Sequence, residues 1–216
     1  MKEIILCVLF SIVLLNTSCQ SNSFLTYFSS IENDSIFNTA EGQKVYYKVS
    51  QKGSLPDSIS LRYIFDNNKD KMYGTEEGYN MDTDEYFTTT YIKKVRPIFK
   101  KKADHHYLLC YGLESILYLG IYDQKSNKIT LSIIISDFSD EMGNVVTHSI
   151  VFPNNYIAKT KIENKILYEL IKIDYDVPEF KVLKKVEVNN VTENQKKIFE
   201  DALSALGITS KGEPVE

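Results

Sequence analysis

HYLLCYGLESILYLGIYDQKSNKITLSIII, residues 106–135, is the stretch whose reading decides the fold. Three apolar runs, 106–111, 115–122 and 129–135, are separated by short polar turns. Successive side chains of a β-strand point to opposite faces, so a strand with one wet face alternates between apolar and polar residues. Here Leu108 and Leu109 are adjacent and both apolar, as are Leu117 to Leu119 and Ile133 to Ile135. Strands apolar on both faces are central and covered on both sides.

Outward from this centre the period stays at two. Val45, Tyr47 and Val49 alternate with polar residues, and after a turn at 53–56, Ile59, Leu61, Tyr63 and Phe65 alternate with Ser58, Ser60 and Arg62. Both stretches read as half-buried strands. Residues 66–70 form a turn cluster, and 71–85, with Gly74, Gly78, Asp82, Asp84 and Glu85, reads as a long polar loop. A strand rich in Thr and Tyr follows at 86–95 and stops at Arg96-Pro97. Beyond 135 the pattern gives a turn at 137–144, a strand at 145–152, a hairpin of 156–162 with 166–173, and a strand at 180–188. The last element changes period. Thr192 with Gln195 makes a capping box; Ile198, Phe199, Ala202, Leu203 and Leu206 form one helical stripe; Gly207 supplies the stop. The tail, 209–216, is polar and reads as frayed. The expected fold is therefore mainly β, an antiparallel sandwich or barrel of about ten short strands with one C-terminal amphipathic helix. A second possibility comes from an internal similarity. Ser58, Ile59, Ile64, Asp66 and Lys71 recur 57 residues later as Ser115, Ile116, Ile121, Asp123 and Lys128, as they would in propeller-like hairpin repeats.

The N-terminus is of another kind. Met1-Lys2-Glu3 precedes an apolar run of 12 residues, Ile4 to Leu15, followed by Asn16-Thr17-Ser18-Cys19. A membrane-spanning helix needs about 20 apolar residues, whereas a signal segment needs about 7–15. The run with Cys19 resembles the signal peptide and relaxed lipobox of bacterial lipoproteins. Asn16 departs from the leucine preferred three positions before the cysteine. The resemblance implies that Cys19 carries a diacylglycerol anchor and that residues 1–18 are removed. Gln20 in place of an aspartate implies sorting to the outer membrane, here expected on its periplasmic face. The alternative is an ordinary secretory signal with Cys19 as a bystander. Residues 19–43, rich in Ser, Asn and Thr, are expected to be a tether, within which Phe24, Leu25, Phe28 and Ile31 fall at helical spacing. Such a helix would dock on the domain or lie near the membrane surface. The domain itself is expected at 44–208. Asp34-Ser35-Ile36 and Asp57-Ser58-Ile59 are similar to the acceptor pattern of some periplasmic O-glycosylation systems, which implies Ser35 and Ser58 as modified residues.

Composition narrows the chemistry. The formal charge is −4, and Lys2 and Glu3 cancel, so loss of the signal leaves it unchanged. Nucleic-acid binding calls for a basic stripe, and the one basic run, Lys100-Lys101-Lys102, reads as a solvated loop. With Cys7 in the signal and Cys19 lipidated, Cys110 has no disulfide partner and reads as a small buried apolar residue. His105 and His106 are adjacent and would point to opposite faces of a strand; His148 lies between Thr147 and Ser149 and reads as a surface or half-buried residue. No HExxH, CxxC, GxSxG or phosphate-binding glycine loop occurs. The acid clusters 82/84/85, 137/140/141 and 174/176/179 lack the spacing of a calcium loop. No catalytic residue, cofactor or metal is expected. Fifteen Tyr and eleven Phe without Trp suit a β domain that binds an envelope protein or a glycan. An assembly component without a small ligand is the alternative, and a hydrolase using His148 or His106 a third.

Overall fold

A computed structural model describes residues 24–32, 34–39, 53–137, 146–189 and 195–215. The expected strand at 44–50, the capping-box Thr192 and most of the 137–144 turn lie outside them. In chain order the elements are β1 (Ser29–Ser30), β2 (Phe37–Asn38), α1 (Asp57–Tyr63), α2 (Lys69–Met72), β3 (Tyr73–Asn80), β4 (Glu85–Ile92), β5 (Val95–Ala103), β6 (His106–Leu113), β7 (Ile116–Asp123), β8 (Lys128–Asp137), β9 (Val146–Val151), β10 (Tyr156–Ile162), β11 (Ile166–Asp174), β12 (Glu179–Val188) and α3 (Gln195–Leu206).

The chain is mainly β, as expected. Ten strands form one mixed sheet in the order β1-β5-β6-β7-β8-β9-β10-β11-β12, with β2 paired to β9; β3 and β4 form a separate two-stranded sheet. The pairing is antiparallel throughout except for β1 on β5, where Ser29 and Ser30 face Phe99 and Lys100 in parallel. Among the described residues the sheet order ends at β1 and β12 without the two pairing, so the sheet is neither a closed barrel nor a ring of repeated blades. The internal similarity has no structural counterpart either: residues 57–63 are helix, whereas 116–123 with 128–137 are a hairpin.

Alternation along the central strands builds the layers. Leu108, Cys110, Leu117, Leu119 and Ile121 point to one side, where they meet Val151, Ile157, Ile171 and Ile173 from the other half of the sheet. The meander is thus folded over on itself around a shared inner core. Leu109, Tyr111 and Tyr122 point the opposite way and are covered by Phe24, Leu25, Phe28, Tyr63 and Phe65. Ala158, Ile162, Tyr168 and Leu170 point away from the inner core on the second half and are covered by Ile198, Ala202 and Leu206 of α3. β6 and β7, apolar on both faces, are covered on both faces as expected; β8 is not, since Lys128, Thr130, Leu131 and Ser132 are exposed, Leu131 at 40%.

Several local expectations are corrected. Residues 59–65 are not a strand: Pro56 stands at the helix N-cap, Asp57 begins α1 and Arg62 lies in its last turn. Proline at a helix start, with acid first and base last, favours a helix over the competing two-residue period. The region 71–85 is not a loop, since α2, capped by Asn68 Oδ1 accepting from Asp70 N and Lys71 N, leads directly into β3. Nor does the strand end at Arg96-Pro97. β5 begins at Val95 and absorbs the proline at a register shift between Pro97 and Phe99, the kind of irregularity where a missing N–H is tolerated.

The lysines at 100–102 lie on β5 rather than in a solvated loop. Lys100 Nζ donates to Leu25 O at 2.6 Å, and buried Lys101 donates to Pro153 O at 2.6 Å; burial holds the Lys101 ammonium below the ordinary lysine pKa. Of the two places open to the 24–31 segment, it occupies the domain: Phe24 is fully buried and stacks on Tyr63 at 4.2 Å. The described part of the expected tether is therefore built into the fold. The tail is not frayed, because Ile208 bridges Pro214 and Gly212, at φ +80°, lies against the Phe152 ring. No helix among the described residues is long and apolar enough to cross a membrane.

Candidate functional site

The β3–β4 hairpin stands out because its residues are almost all exposed. The strands pair in full register from Tyr73 with Ile92 to Asn80 with Glu85. About 3.3 Å per residue makes each strand roughly 26 Å long. One face carries Gly74 and Gly78 opposite Tyr91 and Phe87, and those rings lie over the glycines so closely that a Cβ at either would strike the ring. Covering a strand glycine with a cross-strand aromatic recovers packing that the glycine lacks. The other face carries Tyr73, Thr75, Glu77 and Tyr79 beside Ile92, Thr90, Thr88 and Tyr86, with the Tyr79 and Tyr86 rings 4.9 Å apart.

The tip is held by its own polar groups. Asn80 Oδ1 accepts from Asp82 N at 3.0 Å, Asp84 sits at φ +57°, and the Tyr79 hydroxyl donates to the Asp84 carboxylate, which holds that phenol above its ordinary pKa. The base is fixed by the Tyr91 hydroxyl donating to Glu114, by Lys93 N donating to Met72 O and by Ile92 packing on the outer core. Between tip and base the aromatics remain open: Tyr79 is 47% exposed, Tyr86 83% and Phe87 51%; Met81 in the tip is 88% exposed. Residues 73–92 carry Glu76, Glu77, Asp82, Asp84 and Glu85 and no Lys or Arg.

A second feature is a half-open cleft of about 280 Å³ between α1 and the β8 strand, lined by Arg62, Tyr63, Asp66, Tyr111, Lys128 and Ser132 among others. Lys128 Nζ lies 3.5 Å from Asp66 Oδ1, and the Arg62 guanidinium lies 5.3 Å from the Tyr63 ring centre. Burial pushes the Tyr111 hydroxyl up to about 12. This phenol stays protonated at neutral pH.

The histidines are dispersed. His148 is buried rather than on the surface; its Nδ1 donates to Thr39 O at 3.2 Å, and desolvation outweighs that bond and lowers its pKa. His106 opens β6, with Nε2 3.9 Å from Asp123 Oδ1 and its ring over Tyr175, while His105 occupies the preceding turn. Burial pushes the Asp123 carboxyl up, but N–H donors from Lys125 and Ser126, the Ser126 side chain and nearby His106 outweigh it and leave the group below its ordinary value. Its oxygens serve the β7–β8 turn.

Cys110 is fully buried, as expected. Asp174 Oδ1 caps its own turn by accepting from Asp176 N and Val177 N. No group of three His, Cys, Asp or Glu able to hold a metal occurs among the described residues. Ser58 is exposed on the first turn of α1, and Ser35 is half-exposed, its N–H bonded to Glu32 O. Cys19 lies outside the described residues.

Sequence reasoning missed the hairpin because two glycines and five acids between 71 and 85 resemble loop composition. The signal was there: Tyr73, Thr75, Glu77 and Tyr79 alternate, and a turn cluster at 80–84 leads into a strand of matching length. No protein family, curated protein or solved structure matches the chain.

Proposed function

We propose that this chain is a lipid-anchored protein of the cell envelope, held through Cys19 at the periplasmic face of the outer membrane, whose β domain binds a protein partner through the β3–β4 hairpin. The observation that carries the binding part is the row of open aromatics on a two-stranded sheet that contacts the body mainly at its base. A two-stranded hairpin alone is marginally stable in water, and clustered exposed aromatics mark interaction surfaces. The five acids select a partner with a cationic rim and argue against an anionic membrane surface as the target.

The test uses the full chain in its own envelope, with a photo-crosslinking residue in place of Tyr86 and, as a control, in place of Lys172 on β11. Cross-linked products are expected from position 86 and not from 172. Equal labelling from both would remove the hairpin from the binding role. For the anchor, Cys19→Ala is expected to abolish acyl labelling and release the protein from membranes; a variant still carrying lipid would end the lipoprotein assignment. The cleft beside Tyr63 and Tyr111 supports a second reading, a small polar ligand held by Arg62 and Lys128, and a glycan would be its chemical class.

A further inference from the structure

We infer that the hairpin's partner is a second copy of this chain, and that β3 of one copy adds as a strand to the free edge of β12 of the next. This rests on the reading of the hairpin as a binding element. Neither β3's outer edge nor β12's is paired with another strand among the described residues. An open edge presents a row of unpaired N–H and C=O groups, and natural proteins guard such edges with lysine. β12 carries Lys181, Lys184 and Lys185, all exposed, beside exposed Val182, Leu183 and Val188. Those lysines repel a second β12. They do not repel β3, whose exposed edge carries Glu76 and Glu77.

Geometry selects a register. β12 is irregular at Leu183, which has no partner on β11 where the register shifts between Leu170 and Ile171, so the regular edge runs from Lys184 to Val188. An antiparallel match of these five residues to Tyr73–Glu77 sets Glu77 against Lys184, Glu76 against Lys185, Thr75 against Val186 and Tyr73 against Val188. Both charge pairs are then opposite in sign, and the two exposed apolar residues Tyr73 (43%) and Val188 (37%) meet. Glu187, already bridged by Lys165 at 2.6 Å and Lys185 at 3.3 Å, falls opposite Gly74, where the Tyr91 ring takes the place of a β3 side chain and brings no charge. Lys184 Nζ donates to Leu206 O at 2.9 Å and keeps donors to spare. Main-chain hydrogen bonds and the apolar pair supply affinity, whereas the charges choose the partner edge. Because the two surfaces differ, the contact is heterologous and propagates head to tail.

The experiment compares the purified full chain with charge-reversed variants by sedimentation at increasing concentration. The wild type is expected to form dimers and longer species by roughly 100 μM, as for a small interface. Glu76→Lys/Glu77→Lys and, separately, Lys184→Glu/Lys185→Glu are each expected to weaken association about tenfold or more, and a mixture of the two to regain it, since one mixed contact has both signs exchanged. Should Lys184→Glu loosen α3, a geometric probe remains: Thr75→Cys mixed with Val186→Cys is expected to give a disulfide dimer that neither forms alone. A wild type monomeric at that concentration, a mixture no tighter than its components, or no mixed disulfide would each overturn the assignment. If the chain stays monomeric while position 86 cross-links to a different envelope protein or to lipid, self-assembly fails and the hairpin keeps another role. If position 86 cross-links to nothing while the mixed disulfide forms, the open aromatics lose the binding role and the β3–β12 contact stands; if the disulfide also fails to form, both fall.

Discussion

At the scale of single residues, Thr39 and His148 show how a polar pair is made safe inside an apolar sheet. Among the described residues β8 and β9 pair only at Asp137 and Thr147, and Thr39 lies between Ile135 of β8 and Ser149 of β9. Thr39, fully buried, joins the two strands: its N–H donates to Ser149 O at 2.9 Å, its Oγ1 accepts from Ser149 N at 2.7 Å and donates to Ile135 O at 3.4 Å. Its carbonyl accepts a hydrogen bond from His148 Nδ1 at 3.2 Å. The sign of the resulting pH dependence follows from burial. His148 has its pKa lowered in the fold, so the unfolded chain, with a value near 6.5, binds the proton first. The stability contributed by neutral His148 is complete above about 6.5 and is lost as pH falls through that value towards the folded pKa, at most about 1.4 kcal/mol per pH unit. Chemical denaturation at pH 7.5 and 5.5 is expected to show this loss in the wild type and a smaller one in His148→Asn, whose side-chain amide can still donate to Thr39. Equal losses in the two proteins would exclude His148 as the source.

At the scale of elements, the two helices of most consequence differ in how readily a sequence shows them. α3 is legible. Its stripe is long enough to hold a period of 3.6, and Gly207, at φ +65°, ends it where a glycine is favoured. Ile198 is 1% exposed under this stripe and accepts, through its carbonyl, a hydrogen bond from Tyr168. Ile198→Ala is expected to cost about 2–5 kcal/mol in urea denaturation; a loss under about 1 kcal/mol would mean that α3 does not cap the sheet. α1 is shorter, seven residues. Over so few positions an alternating pattern also satisfies one face of a helix, and only Pro56 and the charge order separate the two. The hairpin is harder to read for the opposite reason. Its glycines argue against a strand when counted alone, and they become suitable only once Phe87 and Tyr91 lie over them from the neighbouring strand.

At the scale of the whole molecule, the N-terminal segment is what makes the outer face of the first half-sheet a core. Phe24 meets Phe28 at 5.3 Å edge-on and Tyr63 at 4.2 Å face to face, and Ser29–Ser30 then extend the sheet beside β5. Phe24→Ala is expected to destabilise the folded chain by about 3–5 kcal/mol. If stability were unchanged, residues 24–32 would be a tether after all. This placement also brings any anchor at Cys19 within a few residues of the packed body, so the domain would sit close to the membrane that holds it.

The sequence by itself determined that the chain is mainly β, that the central strands β6 and β7 are covered on both faces, that a C-terminal helix stops at Gly207, and that Cys110 is buried. Each of these depends on local periodicity or on residue chemistry that no distant contact can reverse. Only the tertiary structure decided that the meander folds over instead of closing, that α1 replaces an expected strand, that Lys101 and His148 are interior, and that residues 73–92 stand out as an aromatic arm. Those outcomes turn on which faces meet across long separations in the chain. Composition and spacing carry no record of that meeting, because the same alternating residues serve a wet face, a core or a docking edge until a partner is placed beside them.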